Sequence, residues 1–164
     1  MIDLKQLFEI TGESLAIDQV LDVSEAKLGE KTLFKQPAHL KGKLQNRAGV
    51  VTLSYTAELR MQTECDRCLA EVDTPLLFKF EHILVKQVND DSNDDFIVVP
   101  SLKLDLDELA LSDVILELPS KVLCKESCKG LCPICGVNLN EESCTCTQKR
   151  IDPRLEILSK FLEN

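Results

Sequence analysis

Val51-Thr52-Leu53-Ser54-Tyr55-Thr56-Ala57-Glu58-Leu59-Arg60-Met61-Gln62 is the stretch that decides the fold. Its odd positions are apolar or aromatic and its even positions polar. That is the two-residue period of a strand with one face on a core and the other in water. Toward the N-terminus, Asn46-Arg47-Ala48-Gly49 supplies a turn, and before it Leu40, Gly42 and Leu44 alternate with Lys41, Lys43 and Gln45. Toward the C-terminus, from about Thr74 to Val88, the even positions Leu76, Phe78, Phe80, His82 and Leu84 make another apolar face. Residues 35–88 are therefore expected to form an antiparallel meander with one apolar side. Cys65-Asp66-Arg67-Cys68 falls at the bend between its second and third strands.

The flanks add shorter elements. Residues 3–10 predict a short helix broken by Gly12, Ser14 to Asp22 a strand, and the polar stretch 24–34 a loop. After the meander, Asn89 to Asp95 is an acidic, turn-rich loop, and Phe96 to Val99 a short strand ended by Pro100. From Asp107 to Leu118 a helix is expected, with Leu106, Leu109, Ala110, Val114 and Leu118 sharing a face and Pro119 closing it. Asp152 as N-cap and Pro153 at the first helical position open a C-terminal helix, striped by Leu155, Leu158 and Leu162 with Ile157 and Phe161 beside them. The fold class is α+β: an antiparallel β-sheet or meander, a few helices, and a zinc-stapled, Cys-rich C-terminal segment. The expected division is a sheet domain at 1–119, a zinc-ribbon-like module at 120–150, and a helix at 151–164 packed on the domain.

Composition excludes several functions. The 164 residues are 44% apolar and 29% charged, the profile of a globular chain. No apolar run approaches the roughly 18 residues of a membrane helix. Met1-Ile2-Asp3-Leu4-Lys5 lacks the basic and then apolar run of a signal peptide, so a cytoplasmic location without membrane attachment is expected. A net charge of −9 argues against a grip on nucleic acid by bulk positive charge. With six Phe, one Tyr and no Trp, a platform for stacking bases is not expected.

Eight cysteines in a reducing compartment point to metal rather than disulfides. They run Cys65-x2-Cys68, then Cys124-x3-Cys128-x3-Cys132-x2-Cys135-x8-Cys144-x1-Cys146. Zinc takes four tetrahedral ligands, and thiolate suits it. In Cys132-Pro133-Ile134-Cys135-Gly136 the glycine can take positive φ and close a knuckle. Cys144 and Cys146 follow across a turn-rich segment, so Cys132, Cys135, Cys144 and Cys146 make a small zinc ribbon. Cys65, Cys68, Cys124 and Cys128 remain as a second set of four, which would tie the sheet to the C-terminal segment. Cys65-x2-Cys68 lacks a following glycine, and Cys128 and Cys132 are also four residues apart. Spacing therefore leaves the partition open, with buried free thiols for one pair as an alternative. The expected cofactor is Zn2+, one ion and, on the count of eight, two.

Catalytic zinc keeps an open position and usually recruits His or carboxylate. Of the two histidines, His39 precedes no ligand pattern and His82 lies among Phe78, Phe80 and Leu84. Closed four-thiolate sites imply a protein that is not an enzyme and has no small-molecule substrate. Two alternatives stand beside this reading. A thiol-redox protein using Cys-x-x-Cys would want its motif at a helix start in a βαβ setting. A zinc-dependent hydrolase or nuclease would need an open metal position.

With these motifs the chain resembles the YceD-type large ribosomal RNA subunit accumulation proteins. The residues that carry the resemblance are Cys65-Asp66-Arg67-Cys68-Leu69 after a long strand, the run from Cys128-Lys129-Gly130-Leu131-Cys132 through Pro133-Ile134-Cys135-Gly136-Val137-Asn138-Leu139-Asn140, then Cys144-Thr145-Cys146, and the closing Asp152-Pro153-Arg154-Leu155. Order and spacing hold from about residue 40 onward. The resemblance implies a bacterial or plastid protein that promotes accumulation of 23S ribosomal RNA, and with it large-subunit biogenesis, with no established enzymatic activity.

Charge is unevenly spread. From Lys31 to Arg60 there are six basic residues against Glu58 alone, whereas from Asn89 to Glu117 nine acids face Lys103. Lys41, Lys43 and Arg47 share one strand face and Arg60 lies on the neighbouring strand's solvent face, so these four are candidate RNA contacts, with a solvated sheet face as the plainer alternative. The acidic half suits a basic partner, with a solubilising acidic loop as the plainer alternative. Ribosomal precursor components, rRNA or a basic ribosomal protein or both, are the expected partners. Each zinc held by four thiolates adds two negative charges, which Arg67, Lys121, Lys125, Lys129, Lys149 and Arg150 are placed to offset.

Overall fold

The computed structural model describes residues 1–28, 31–87 and 96–146. The acidic loop expected at 89–95 and the helix expected at 151–164 lie outside the described residues. At its centre, β5 (Ala38–Arg47), β6 (Val50–Glu64) and β7 (Glu71–Val85) form the expected antiparallel meander. Ala48 and Gly49, both at positive φ, make the tight two-residue turn between β5 and β6. The side chain of Asn46 is buried beside this turn. Its amide donates to the Leu7 carbonyl and its oxygen accepts from the Gly49 amide, at 2.8 and 3.0 Å.

The alternation in β6 has the consequence its sequence dictates: Val51, Leu53, Tyr55, Ala57, Leu59 and Met61 are all buried. They meet Leu40 and Leu44 from β5 and Leu84 from β7. β2 (Ser14–Leu21) adds antiparallel to β5, and β8 (Phe96–Val98) adds to β7. The five-stranded order is β2-β5-β6-β7-β8. β8 runs parallel to β7, so the sheet is mixed rather than purely antiparallel. A second small pair joins β1 (Ile2–Asp3) to β9 (Lys103–Leu104), and the short helix α1 (Lys5–Glu9) follows β1.

One expected loop has structure. Within 24–34, β3 (Lys27–Leu28) pairs with β4 (Lys31–Thr32), and the Leu33 and Phe34 that follow are buried. Phe34 bridges to Met61, and the Gln62 amide donates to the Leu33 carbonyl at 2.8 Å. Two-residue strands carry no period, so this clamp over the end of β6 leaves no alternating signature in the chain.

Helix α2 (Leu106–Glu117) is capped by Asp105, whose carboxylate accepts from the Glu108 amide at 3.2 Å. It buries Leu106, Ala110 and Val114, and with them Asp113. The Asp113 carboxylate accepts a hydrogen bond from the Tyr55 hydroxyl and lies 2.7 Å from His82 Nε2. Burial, and then the Asp113 charge, push the Tyr55 phenol well above its usual range. Asp113 thus latches the helix onto the apolar face of the sheet, and His82 is occupied there rather than at the cysteines.

Gly42 sits opposite Tyr55 in the middle of β5. A Cβ there would stand 2.2 Å from the Ser54 carbonyl oxygen and 2.5 Å from Tyr55 Cα, so only glycine lets the two strands approach this closely.

Candidate metal centres

The two Cys-x2-Cys turns are built alike. In the first, which joins β6 to β7, the Cys65 amide donates to the Ala70 carbonyl and the Leu69 amide to the Cys65 carbonyl, at 2.8 and 3.0 Å. In the second, the Cys132 amide donates to the Val137 carbonyl and the Gly136 amide to the Cys132 carbonyl, both at 2.8 Å. The residue after the second cysteine is left-handed in each, Leu69 at φ 60° and Gly136 at φ 76°. The glycine missing from the first motif is therefore replaced by a leucine in the glycine conformation. Left-handed backbone costs an L-residue about 1–2 kcal/mol, and at 57% exposure the Leu69 side chain offsets little of that by packing. Leu69→Gly is expected to raise stability by about 1 kcal/mol, read as a higher denaturation midpoint at unchanged slope.

The described residues hold two groups of four cysteines, each with its sulfurs within 4.8 Å of one another: Cys65, Cys68, Cys124 and Cys128, and Cys132, Cys135, Cys144 and Cys146. The partition that spacing left open is the one that gives each Cys-x2-Cys turn its own second pair. In the first group Cys65 Sγ and Cys128 Sγ are 3.8 Å apart, and Cys68 Sγ and Cys124 Sγ 3.5 Å. A tetrahedral ion with metal–sulfur bonds of about 2.3 Å sets its sulfurs roughly 3.8 Å apart, and a disulfide needs about 2.05 Å. All eight cysteines are free. The residues present therefore fit a metal ion in each group.

Asp66 and Arg67, the two residues inside the first turn, assemble the first group. The Asp66 amide donates to the Val122 carbonyl, and its carboxylate accepts from the Val122 amide, both at 2.8 Å. The same carboxylate pairs with Lys31 at 2.5 Å, which holds its pKa below the usual range. Arg67 accepts the Leu131 amide on its carbonyl at 3.0 Å, and its guanidinium donates to the Cys128 carbonyl at 2.7 Å. A Cβ on Gly130 would come within 2.9 Å of that same Arg67 carbonyl, so the chain after Cys128 lies flat on the turn because residue 130 is glycine. Arg67, expected to offset thiolate charge, is spent on backbone instead. Asp66 and Lys31 went unassigned in the sequence, where Lys31 reads only as part of a basic stretch.

The centres differ in exposure. Cys65, Cys68 and Cys128 are buried and Cys124 is exposed; in the second group only Cys132 is buried. Backbone N–H groups aim at several sulfurs, and they gather most densely on Cys65 in the first group and Cys132 in the second. Burial opposes ionisation of Cys65, but the amides of Arg67, Cys124 and Cys68 outweigh it and bring the thiol down to about 6. The amides of Cys135 and Ile134 bring Cys132 down to about 6. Neighbouring sulfur pushes others up: Cys68 raises Cys124 to about 12, and Cys135 raises Cys146 to about 12. Four thiolates oppose one another unless a cation sits among them, and a divalent ion would remove that opposition.

The candidate RNA contacts are dispersed. Lys41 and Lys43 lie on the open face of β5, but Lys41 has Asp18 and Lys43 has Ala16 as neighbours on β2. Across β6 the same rows continue to Lys79 and Glu81. Arg47 stands at the far end of β5, beside the turn. Arg60 holds Asp73 in a two-bonded pair at 2.5 and 3.1 Å.

Among the described residues no helix is long and apolar enough to cross a membrane. Residues 53–162, more than half of the chain, match the model of the family described as large ribosomal RNA subunit accumulation protein YceD. The chain is also 32% identical over 105 residues to the proteins named Uncharacterized protein Mb2951c of Mycobacterium bovis and Uncharacterized protein Rv2926c of Mycobacterium tuberculosis. That alignment covers 60% of this chain and 49% of each relative, so the match spans about half the length of those proteins. No solved structure matches.

Proposed function

The chain belongs to the YceD family of large ribosomal RNA subunit accumulation proteins, and on that premise we propose that it is a non-catalytic, cytoplasmic zinc protein that promotes 23S rRNA accumulation during large-subunit biogenesis. The observation that carries this reading is the family match itself, whose span contains all eight cysteines that gather into the two centres. The family is named for accumulation of an RNA and not for a reaction. All-thiolate centres support zinc in structural use, because each ion would have its four ligands from protein and no position for water or substrate. The same closure disfavours a hydrolase or nuclease. A thiol-redox role is disfavoured because both Cys-x2-Cys turns lie outside helices and each shares its centre with two further sulfurs.

In this reading residues 1–119 are the sheet domain, and 120–150 a module that zinc at Cys65, Cys68, Cys124 and Cys128 welds to it. The partner is a ribosomal precursor component. The acids beside the lysines on the open sheet face, and Asp73 on Arg60, support contact through a basic ribosomal protein more than through naked RNA. Helix α2 supports it too, with Asp107, Glu108 and Glu117 and no basic residue.

The test is capture of the tagged chain from its own cells at low salt, reading both RNA and protein. Large-subunit precursor rRNA with basic ribosomal proteins is the expected result. Their absence, relative to a variant with Cys65, Cys68, Cys132 and Cys135 all changed to Ser, overturns the proposal. Neutralising Lys41, Lys43, Arg47 and Arg60 together separates the two modes of contact. Direct phosphate contact would lower the salt slope of RNA binding by about 0.7–0.9 per lost contact, whereas capture through protein would leave the rRNA yield unchanged.

A further inference from the structure

We propose that the two centres bind metal as a coupled pair, with Asn140 as the residue that couples them; this rests on the zinc reading above. Only Lys129, Gly130 and Leu131 separate Cys128, the last ligand of the buried centre, from Cys132, the first of the exposed one. The chain then folds back along itself. Leu131 bridges to Asn138, the Cys132 amide donates to the Val137 carbonyl, and the Leu139 amide donates to the Gly130 carbonyl at 2.9 Å.

This return brings Asn140, which lies between the cysteine pairs of the exposed centre, onto the other centre. Its Nδ2 donates to Cys128 Sγ at 3.3 Å, and its Oδ1 accepts from the Lys129 amide at 2.9 Å. Asn138 holds it in place: Asn138 Oδ1 accepts from the Asn140 backbone amide at 3.1 Å and from its Nδ2 at 2.8 Å.

An N–H aimed at a ligand sulfur spreads the thiolate charge and strengthens the centre, and loss of such a partner typically weakens metal binding 10–100-fold. Here the donor is positioned by the loop that the exposed centre closes. Metal at the exposed centre therefore stabilises metal at the buried one, and linkage makes the effect reciprocal. The exposed centre is the one that gains or loses its ion more readily, so it sets how firmly the buried one is held. Asn140 is a positioning residue in this scheme and touches no metal.

The experiment is a Zn2+ titration of the reduced full chain against a competing chelator. Amide resonances of residues 65–70 report the buried centre, those of 132–137 the exposed one, and those of β5 to β7 the sheet. The chains compared are the wild type, Asn140→Asp, Asn140→Ala, Cys135→Ser, and Cys135→Ser with Asn140→Ala. Asn140→Asp keeps the oxygen that accepts from Lys129 and replaces the donor facing sulfur by a second acceptor. Both Asn140 variants are expected to bind zinc 10–100-fold more weakly at the buried centre. Cys135→Ser is expected to do the same, and Asn140→Ala to add little to it. Wild-type affinity at the buried centre in Cys135→Ser overturns the coupling, and wild-type affinity there in Asn140→Ala overturns the part given to Asn140. A wild type that takes up no zinc overturns the zinc reading itself. Two ions bound independently overturn only the inference.

Discussion

Stripped of metal under reducing conditions, the chain is expected to lose the order of residues 120–146 while the five-stranded sheet persists. The apolar ledger of that segment is short. Val122, Cys128 and Cys132 are its buried apolar side chains, beside the buried Gly130, with Leu123 and Leu131 partly covered. The sheet keeps β6's six inward side chains and their partners from β5, β7 and α2, none of which depends on a thiolate. Metal binding to a structural four-ligand site in a small module supplies about 10–16 kcal/mol, so folding and binding there are one event. Amide exchange with and without a chelator reads the outcome directly. Protection in 120–146 is expected to fall to that of an open chain and to return with added Zn2+. The ends of β6 and β7 nearest Cys65 and Cys68 are expected to fray, since Asp66 and Arg67 lose Val122 and Leu131. Protection in 120–146 that survives metal removal would mean the centres do not hold the module.

Gly42→Ala is expected to cost about 3 kcal/mol or more. The added carbon meets the backbone of Ser54 and Tyr55, not the end of a flexible side chain, so nothing nearby can swing aside. β5 and β6 must move apart in the middle of the meander. Tyr55 would move with them, and it carries the packing against Phe80 at a ring separation of 5.1 Å and the hydrogen bond to Asp113. The damage therefore extends to the seat of α2. Chemical denaturation of the metal-loaded protein measures it, and a loss below about 1 kcal/mol would show that the strands separate more easily than their geometry implies.

The meander was legible because its strands are long and one face of each is buried, which forces alternation over ten residues or more. Helix α2 was legible from Asp107 onward through spacing and Pro119, while its start at Leu106 and its cap at Asp105 were not. The hairpin before Leu33 was not, since two residues cannot show a period. The parallel attachment of β8 was also hidden, because three apolar residues read alike in either direction. Asp113 reads as one more surface acid; its burial follows from Tyr55 and His82, which lie far away in sequence. At the candidate metal centres the residue type and the total were plain, but Cys124, Cys128 and Cys132 are evenly spaced and the grouping needed three dimensions. Leu69 concealed the likeness of the two turns by holding a glycine's conformation with a leucine's side chain. Asn140 sits in a motif that was quoted for its cysteines, and nothing in its spacing pointed at Cys128.

The buried centre joins Cys65 to Cys128, 63 residues apart. With metal in place, the chain between them becomes a closed ring that contains β7, β8 and α2. Tension applied at the two ends of the protein would bypass that ring and run through the metal–sulfur bonds. Roughly 210 Å of contour, at about 3.4 Å per residue, is thereby kept in reserve and released only when those bonds give way. In a reducing compartment a chain has few ways to acquire such a ring, because a disulfide does not persist there. Four thiolates around an exchangeable ion give the same topology in a form that the cell can open without chemistry on sulfur.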